Sequence, residues 1–172
     1  SLLPSATQYS RNAIFCGMFP SDMVKKYPSQ AHDMKSEVSS LNRYEKLFLL
    51  DNLKRLGLGN KSVHYHKIWA VEEGKKFQNR ISDYVQKDLI SIVVNFVDLL
   101  AHKSAQTDVL KELVPDESGY RMAVLSWLEQ SWLFEVLKYL GNKGWTIIMT
   151  SDHGSIRVKN SIMVAADKGA SS

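Results

Sequence analysis

Apolar and polar residues change period several times along the chain, and each change marks an element. Thr7 has the placement of an N-cap, Gln8 to Cys16 reads as a short helix, and Gly17 stops it. Pro20-Ser21-Asp22 opens a second helix or turn. From Glu37 to Leu56 the residues Leu41, Tyr44, Leu47, Phe48 and Leu56 recur near the helical period, and Gly57 and Gly59 end the run. Val63 to Ile68 alternates apolar and polar residues and predicts a strand. Ser82 to Lys87 fits a short helix or a loop. Asp88 to Val97 is almost continuously apolar and rich in β-branched residues, the pattern of a strand buried on both faces. Tyr120 to Leu140 reads as one amphipathic helix, with Leu125, Leu128, Trp132, Val136 and Tyr139 on or near one stripe, ended by Gly141-Asn142-Lys143-Gly144. Trp145 to Thr150 predicts a second buried strand, stopped by Ser151-Asp152-His153-Gly154.

Helix, glycine turn, apolar strand and polar loop in this order belong to a layered α/β fold. The expectation is a three-layer sandwich: a mainly parallel central sheet with helices on both faces, in one domain. A largely helical insertion is expected over about residues 20 to 85. Ligands of such folds sit beyond the carboxyl ends of the parallel strands. Both apolar runs lead into polar groups there, Asp98 after the first and Asp152-His153 after the second.

Composition narrows the class without naming a function. The chain has 172 residues, 44% apolar and 23% charged, which excludes a disordered, collagen-like or coiled-coil chain. The runs Ile92-Val93-Val94 and Ile147-Ile148-Met149 fall far short of the roughly 20 apolar residues of a membrane span, so none is expected. Ser1-Leu2-Leu3-Pro4-Ser5 has neither the basic nor the apolar region of a signal peptide. The single Cys16 fits a reducing, cytoplasmic compartment. The net charge of +4 is spread over Lys25-Lys26, Lys54-Arg55, Lys75-Lys76, Arg157 and Lys159. That distribution reads as a solvated surface, with no specific DNA binding and a modest attraction for phosphate-bearing small molecules.

Three places carry candidate chemistry. In Asp98-Leu99-Leu100-Ala101-His102 the four-residue spacing brings a carboxylate and an imidazole to one helical face, a usable pair of metal ligands. The same pattern alone also fits an Asp cap with a half-exposed His. Asp152 and His153 can share one metal if the backbone turns sharply at Gly154; alone, they also fit a solvated turn. Thr7 at a helix start lies near unpaired amides and a positive dipole end, where a phosphoryl group is stabilised. A nearby metal would lower its hydroxyl pKa and make it a nucleophile; without one it is a plain cap. Arg11, one turn further on, can reach a phosphate oxygen or serve as a surface charge. His64 and His66 share one face of their strand and can bind a metal together, although a surface placement is preferred.

These elements stand in a familiar order. Leu3 to Gly17, LPSATQYSRNAIFCG, resembles the nucleophile motif of PglZ domains, which belong to the alkaline phosphatase superfamily of metal-dependent phosphohydrolases. Val94 to His102, VNFVDLLAH, is similar to the superfamily's D-x-x-x-H metal motif, and Thr150 to Gly154, TSDHG, to its D-H-G motif. The resemblance runs from residue 3 to about residue 160, and its wording is nearest to the output domain of PorX-type response regulators, which act in type IX secretion. It implies two divalent metal ions, usually zinc, about 4 Å apart, clamping an in-line displacement at phosphorus. It further implies Thr7 as nucleophile, Thr7, Asp152 and His153 on one metal, and Asp98 and His102 on the other. The expected substrate is a phosphoester, by preference a phosphodiester or a nucleotide-like ester, and a signalling protein partner is expected beside it. The superfamily's Asp-bearing strand before the nucleophile and its last His have no counterpart here, so the expectation is a partial PglZ domain over residues 1 to 172. It would lack its first strand and C-terminal tail, and show weak metal binding and little activity in isolation. A rival reading is a non-catalytic interaction module that keeps the fold and docks a protein.

Overall fold

A computed structural model describes residues 7–30, 43–95 and 116–154. The described residues fall into two compact units, one drawn from Ser1–Lys61 and Met149–Ser172, the other from Ser62–Ile148.

The first unit is helical. Helices α1 (Thr7–Cys16), α2 (Pro20–Lys26) and α3 (Glu45–Arg55) surround a small core of Cys16, Met23 and Phe48. The phenylalanine ring is flanked by Tyr27 and Tyr44, with centroids 5.0 and 6.1 Å away. α1 starts at Thr7, so this residue stands in the first turn and not before it. The helical run expected from Glu37 is seen from Glu45; Arg43 and Tyr44 form a turn, and residues 37–42 lie outside the described residues. α3 ends in a Schellman closure. Gly57 takes a positive φ of 76°, Leu58 N–H donates to Leu53 O and Gly57 N–H to Lys54 O. A residue with a Cβ is strained at that φ, which is why the glycine ends the helix.

The second unit is built on two parallel strands, β1 (Val63–Ile68) and β2 (Leu89–Val94), with His64 opposite Ile90, His66 opposite Ile92 and Ile68 opposite Val94. Helix α4 (Val71–Asn79) and a 3-10 turn (Ile81–Tyr84) make the crossover that parallel pairing requires. Asp88 fixes the strand starts, since its Oδ2 accepts from both the N–H and the Oγ of Ser62 at 2.8 Å. Two further helices follow, α5 (Glu117–Gln130) and α6 (Trp132–Asn142). α6 buries Trp132, Leu133, Val136 and Leu140, the stripe that a 3.6-residue period places on one face, and these join Ile68, Phe77 and Ile81 in the core.

Three expectations need correction. The helical insertion over residues 20 to 85 is not separate from the sheet: β1 lies within it and pairs with β2. Second, the single helix from Tyr120 to Leu140 is two helices. Ser131 adopts an extended backbone, its Oγ donates to Leu128 O at 2.9 Å, and it accepts from Phe134 N–H. A serine that satisfies an orphan amide of a new helix competes with continuation of the old one.

Third, Trp145 to Thr150 is not a buried strand. α6 closes in a second Schellman motif, with Gly144 at φ 79°, Trp145 N–H on Leu140 O and Gly144 N–H on Gly141 O. Trp145 folds back onto the core, and the residues after it are exposed, Ile148 at 86%. An apolar run becomes a strand only where a neighbour accepts its backbone hydrogen bonds. Among the described residues the sheet contains β1 and β2 alone, so the three-layer sandwich narrows to a parallel β-α-β unit with helices packed on it.

Candidate functional site

Thr7 opens α1, a helix with no acidic residue in its first turn, so its positive end is not offset by its own sequence. The Thr7 side chain, like Asp98 and His102, lies outside the described residues.

Asp152 and His153 are half-buried and adjacent. His153 Nε2 lies 3.8 Å from Asp152 Oδ2, and Nδ1 lies 3.0 Å from the carbonyl oxygen of Gly154. A carbonyl only accepts, so in this contact Nδ1–H is the donor, and Nε2 faces the carboxylate. Asp152 Oδ2 is buried without a hydrogen-bond donor among the described residues.

Two atoms at about 2.0–2.1 Å from a tetrahedral zinc would be about 3.4 Å apart, so a small inward movement lets this pair grip one cation. The donor set therefore fits half of a metal site. Among the described residues no three His, Cys, Asp or Glu side chains gather as a full one. The backbone bends at Asp152, and Gly154 follows without a positive φ.

Arg11 is placed inward, in an ion pair with Glu45: Nε to Oε1 is 2.7 Å, and the side chains are 12% and 0% exposed. Glu45 was not among the candidate residues. Its signal in the sequence is a carboxylate four residues after Leu41 and three before Phe48, on the apolar stripe of its helix.

His64 and His66 are not surface residues. Both lie half-buried on the sheet face that meets α4 and the 3-10 turn. The His64 ring stacks on Tyr84 at 3.7 Å between centroids, and His66 lies 5.1 Å from Phe77. Stacking on two aromatic rings makes them packing residues of the second unit.

The described residues thus hold a parallel β-α-β unit, an adjacent Asp-His pair and a helix that opens on a threonine. The family model described as the BREX system PglZ alkaline phosphatase-like domain matches residues 1–172, and the chain belongs to that family. No curated protein matches the chain. Domains of this fold are generally metal-dependent, and the family suggests a phosphoesterase-like hydrolase. Among the described residues no helix is long and apolar enough to cross a membrane.

Proposed function

We propose that this chain carries the catalytic core of a metal-dependent phosphoesterase with Thr7 as nucleophile. The observation that carries the reading is the Asp152–His153 pair, oriented by the Gly154 carbonyl, within a chain matched to the PglZ family over its whole length. Asp152 and His153 would hold one divalent ion together with Thr7, and Asp98 and His102 the second; zinc suits this nitrogen and oxygen donor set. When bound, the ions supply Lewis acidity toward the phosphoryl oxygens and the Thr7 hydroxyl.

The chain's own residues do the rest. The Thr7 Oγ attacks phosphorus in line, the ester oxygen leaves, and the phosphothreonine so formed is released by water. The positive end of α1 stabilises the charge that gathers on the phosphoryl oxygens. Nδ1–H of His153 donates to the Gly154 carbonyl, so Nε2 would be the ring nitrogen that serves as ligand.

A phosphodiester or nucleotide-like ester is the preferred substrate, supported by the basic balance of the chain. The resemblance to PorX-type output domains supports a cytoplasmic setting, as the output part of a two-component response regulator linked to type IX secretion. One observation favours the rival reading of a docking module: Met122 and Leu125 on α5 are 69% and 54% exposed.

Elemental analysis and hydrolysis of a chromogenic phosphodiester decide between them. The enzyme reading expects about two zinc ions per parent domain, loss of metal in Asp152→Ala and His153→Ala, and loss of turnover in Thr7→Ala. Turnover that survives Thr7→Ala removes the nucleophile assignment. A metal-free chain that binds a signalling protein equally well in all variants favours the docking module.

A further inference from the structure

Arg11 stands four residues after Thr7, one turn along the same helix. Its guanidinium enters the interface between α1 and α3, where Glu45 is fully buried. Glu45 is the first residue of α3, and the residue before it, Tyr44, offers that helix end no side-chain cap. The carboxylate is thus an acidic residue in the first turn of α3, paired with Arg11. Ser10 and Asn12 are buried beside Arg11 in the sequence of α1.

A buried ion pair is a poor source of stability, because desolvation of both charges offsets their attraction and an apolar pair of similar volume does as well. What it adds is direction. The Nε–H must point at Oε1, which fixes the rotation and axial shift of α1 against α3. The apolar contacts of Cys16 and Phe48 alone would tolerate small shifts. A rotation of about 20° moves an atom ~4 Å from the helix axis by ~1.4 Å, and a displacement of about 1 Å at a reacting group costs about 100-fold in rate.

We propose that the Arg11–Glu45 ion pair sets the phase of α1, the helix that Thr7 opens, which makes Arg11 a positioning residue and not a phosphate ligand. The proposal rests on Thr7 being the nucleophile. Neutralisation of the guanidinium by a buried carboxylate is the reason to remove Arg11 from direct contact with the substrate.

The test uses the full chain with three variants: Glu45→Gln, Arg11→Lys and the double variant Arg11→Met with Glu45→Leu. Thermal midpoint, amide hydrogen exchange over residues 11 to 16, and kcat and KM for a chromogenic phosphodiester are measured. The double variant should keep its midpoint, exchange its α1 amides at least tenfold faster, and lose at least tenfold in kcat with KM little changed. Glu45→Gln should lower kcat in the same way, and Arg11→Lys should recover part of it.

A double variant with unchanged exchange and kcat overturns the proposal, as does one that fails to fold, since the pair is then a stabilising contact. An Arg11→Lys effect confined to KM, with Glu45→Gln silent, returns Arg11 to the phosphate. If the unaltered chain binds no metal and turns over nothing, the phosphoesterase reading fails by itself. The exchange measurement then still decides whether the pair holds α1.

Discussion

The indole of Trp132 lies so close to the backbone of Gly74 that a β-carbon built on Gly74 would stand 2.1 Å from both Cε2 and Nε1. Gly74 is in the middle of α4 and Trp132 opens α6, so this approach seats one helix on the other. Gly74→Ala gains up to about 1 kcal/mol of helix propensity, but the indole must move out of a packed core. A net destabilisation of about 1–3 kcal/mol is expected from overpacking, measured as a shift in the urea midpoint. An alanine variant as stable as the parent would show that α6 is free to recede.

Asp51 is a carboxylate of the first unit held by three donors. Its Oδ2 accepts from Lys26 Nζ at 2.8 Å, from the Tyr27 hydroxyl and from Arg55 Nε at 3.2 Å. Lys26 first, and Tyr27 after it, lower its pKa to about 2. A depressed carboxylate contributes stability that is full above its unfolded value of about 3.9 and is lost as pH falls toward 2. The side chain is 32% exposed, so screening limits the effect to about 1 kcal/mol. Asp51→Asn should flatten stability between pH 4 and pH 2 in urea titrations. A variant with the parent's slope in that window would place the acid lability elsewhere.

Tyr27 responds at the other end of the pH scale. Burial, and then its hydrogen bond to Asp51, raise the phenol above its ordinary value. The folded state favours the neutral phenol, so its contribution is present below about pH 10 and declines above it. Tyr27→Phe should be less stable near neutrality and should decline less than the parent when unfolding is followed from pH 9 to pH 11.

The stacked histidines of β1 predict a packing phenotype. His64→Phe preserves the stack on Tyr84 and should stay within about 1 kcal/mol of the parent. His64→Ala should lose about 1–3 kcal/mol. Zinc content should be the same in both variants; a loss of zinc would restore these imidazoles to the list of ligands.

Ser131 separates α5 from α6 by capping the second helix. Ser131→Ala removes the Oγ that accepts from Phe134 N–H and should cost about 1 kcal/mol. Ser131→Asp, which restores a capping oxygen, should recover most of it in thermal melts.

Order and period in the chain were enough for α1, for both strands of the parallel pair and for the glycine stops after α3 and α6. Those features are local: a 3.6 or 2.0 repeat, or a φ that only glycine adopts comfortably. The three motifs likewise lead to the PglZ family from their residues alone. Whether Asp98 and His102 complete that set lies outside the described residues.

Other features depended on which surfaces meet. Ser131 reads as one more helical position until its hydroxyl finds Phe134 N–H. Ile147-Ile148-Met149 has the composition of a strand but no ladder to join among the described residues. Arg11 reads as a phosphate ligand or a surface charge, and only the fold brings Glu45, far along the chain, against it across a helix interface. His64 and His66 read as surface until Phe77 and Tyr84 fold over them. Each of these outcomes is a competition between groups distant in sequence, and burial energy, hydrogen-bond satisfaction and charge pairing are settled only when those groups come into contact.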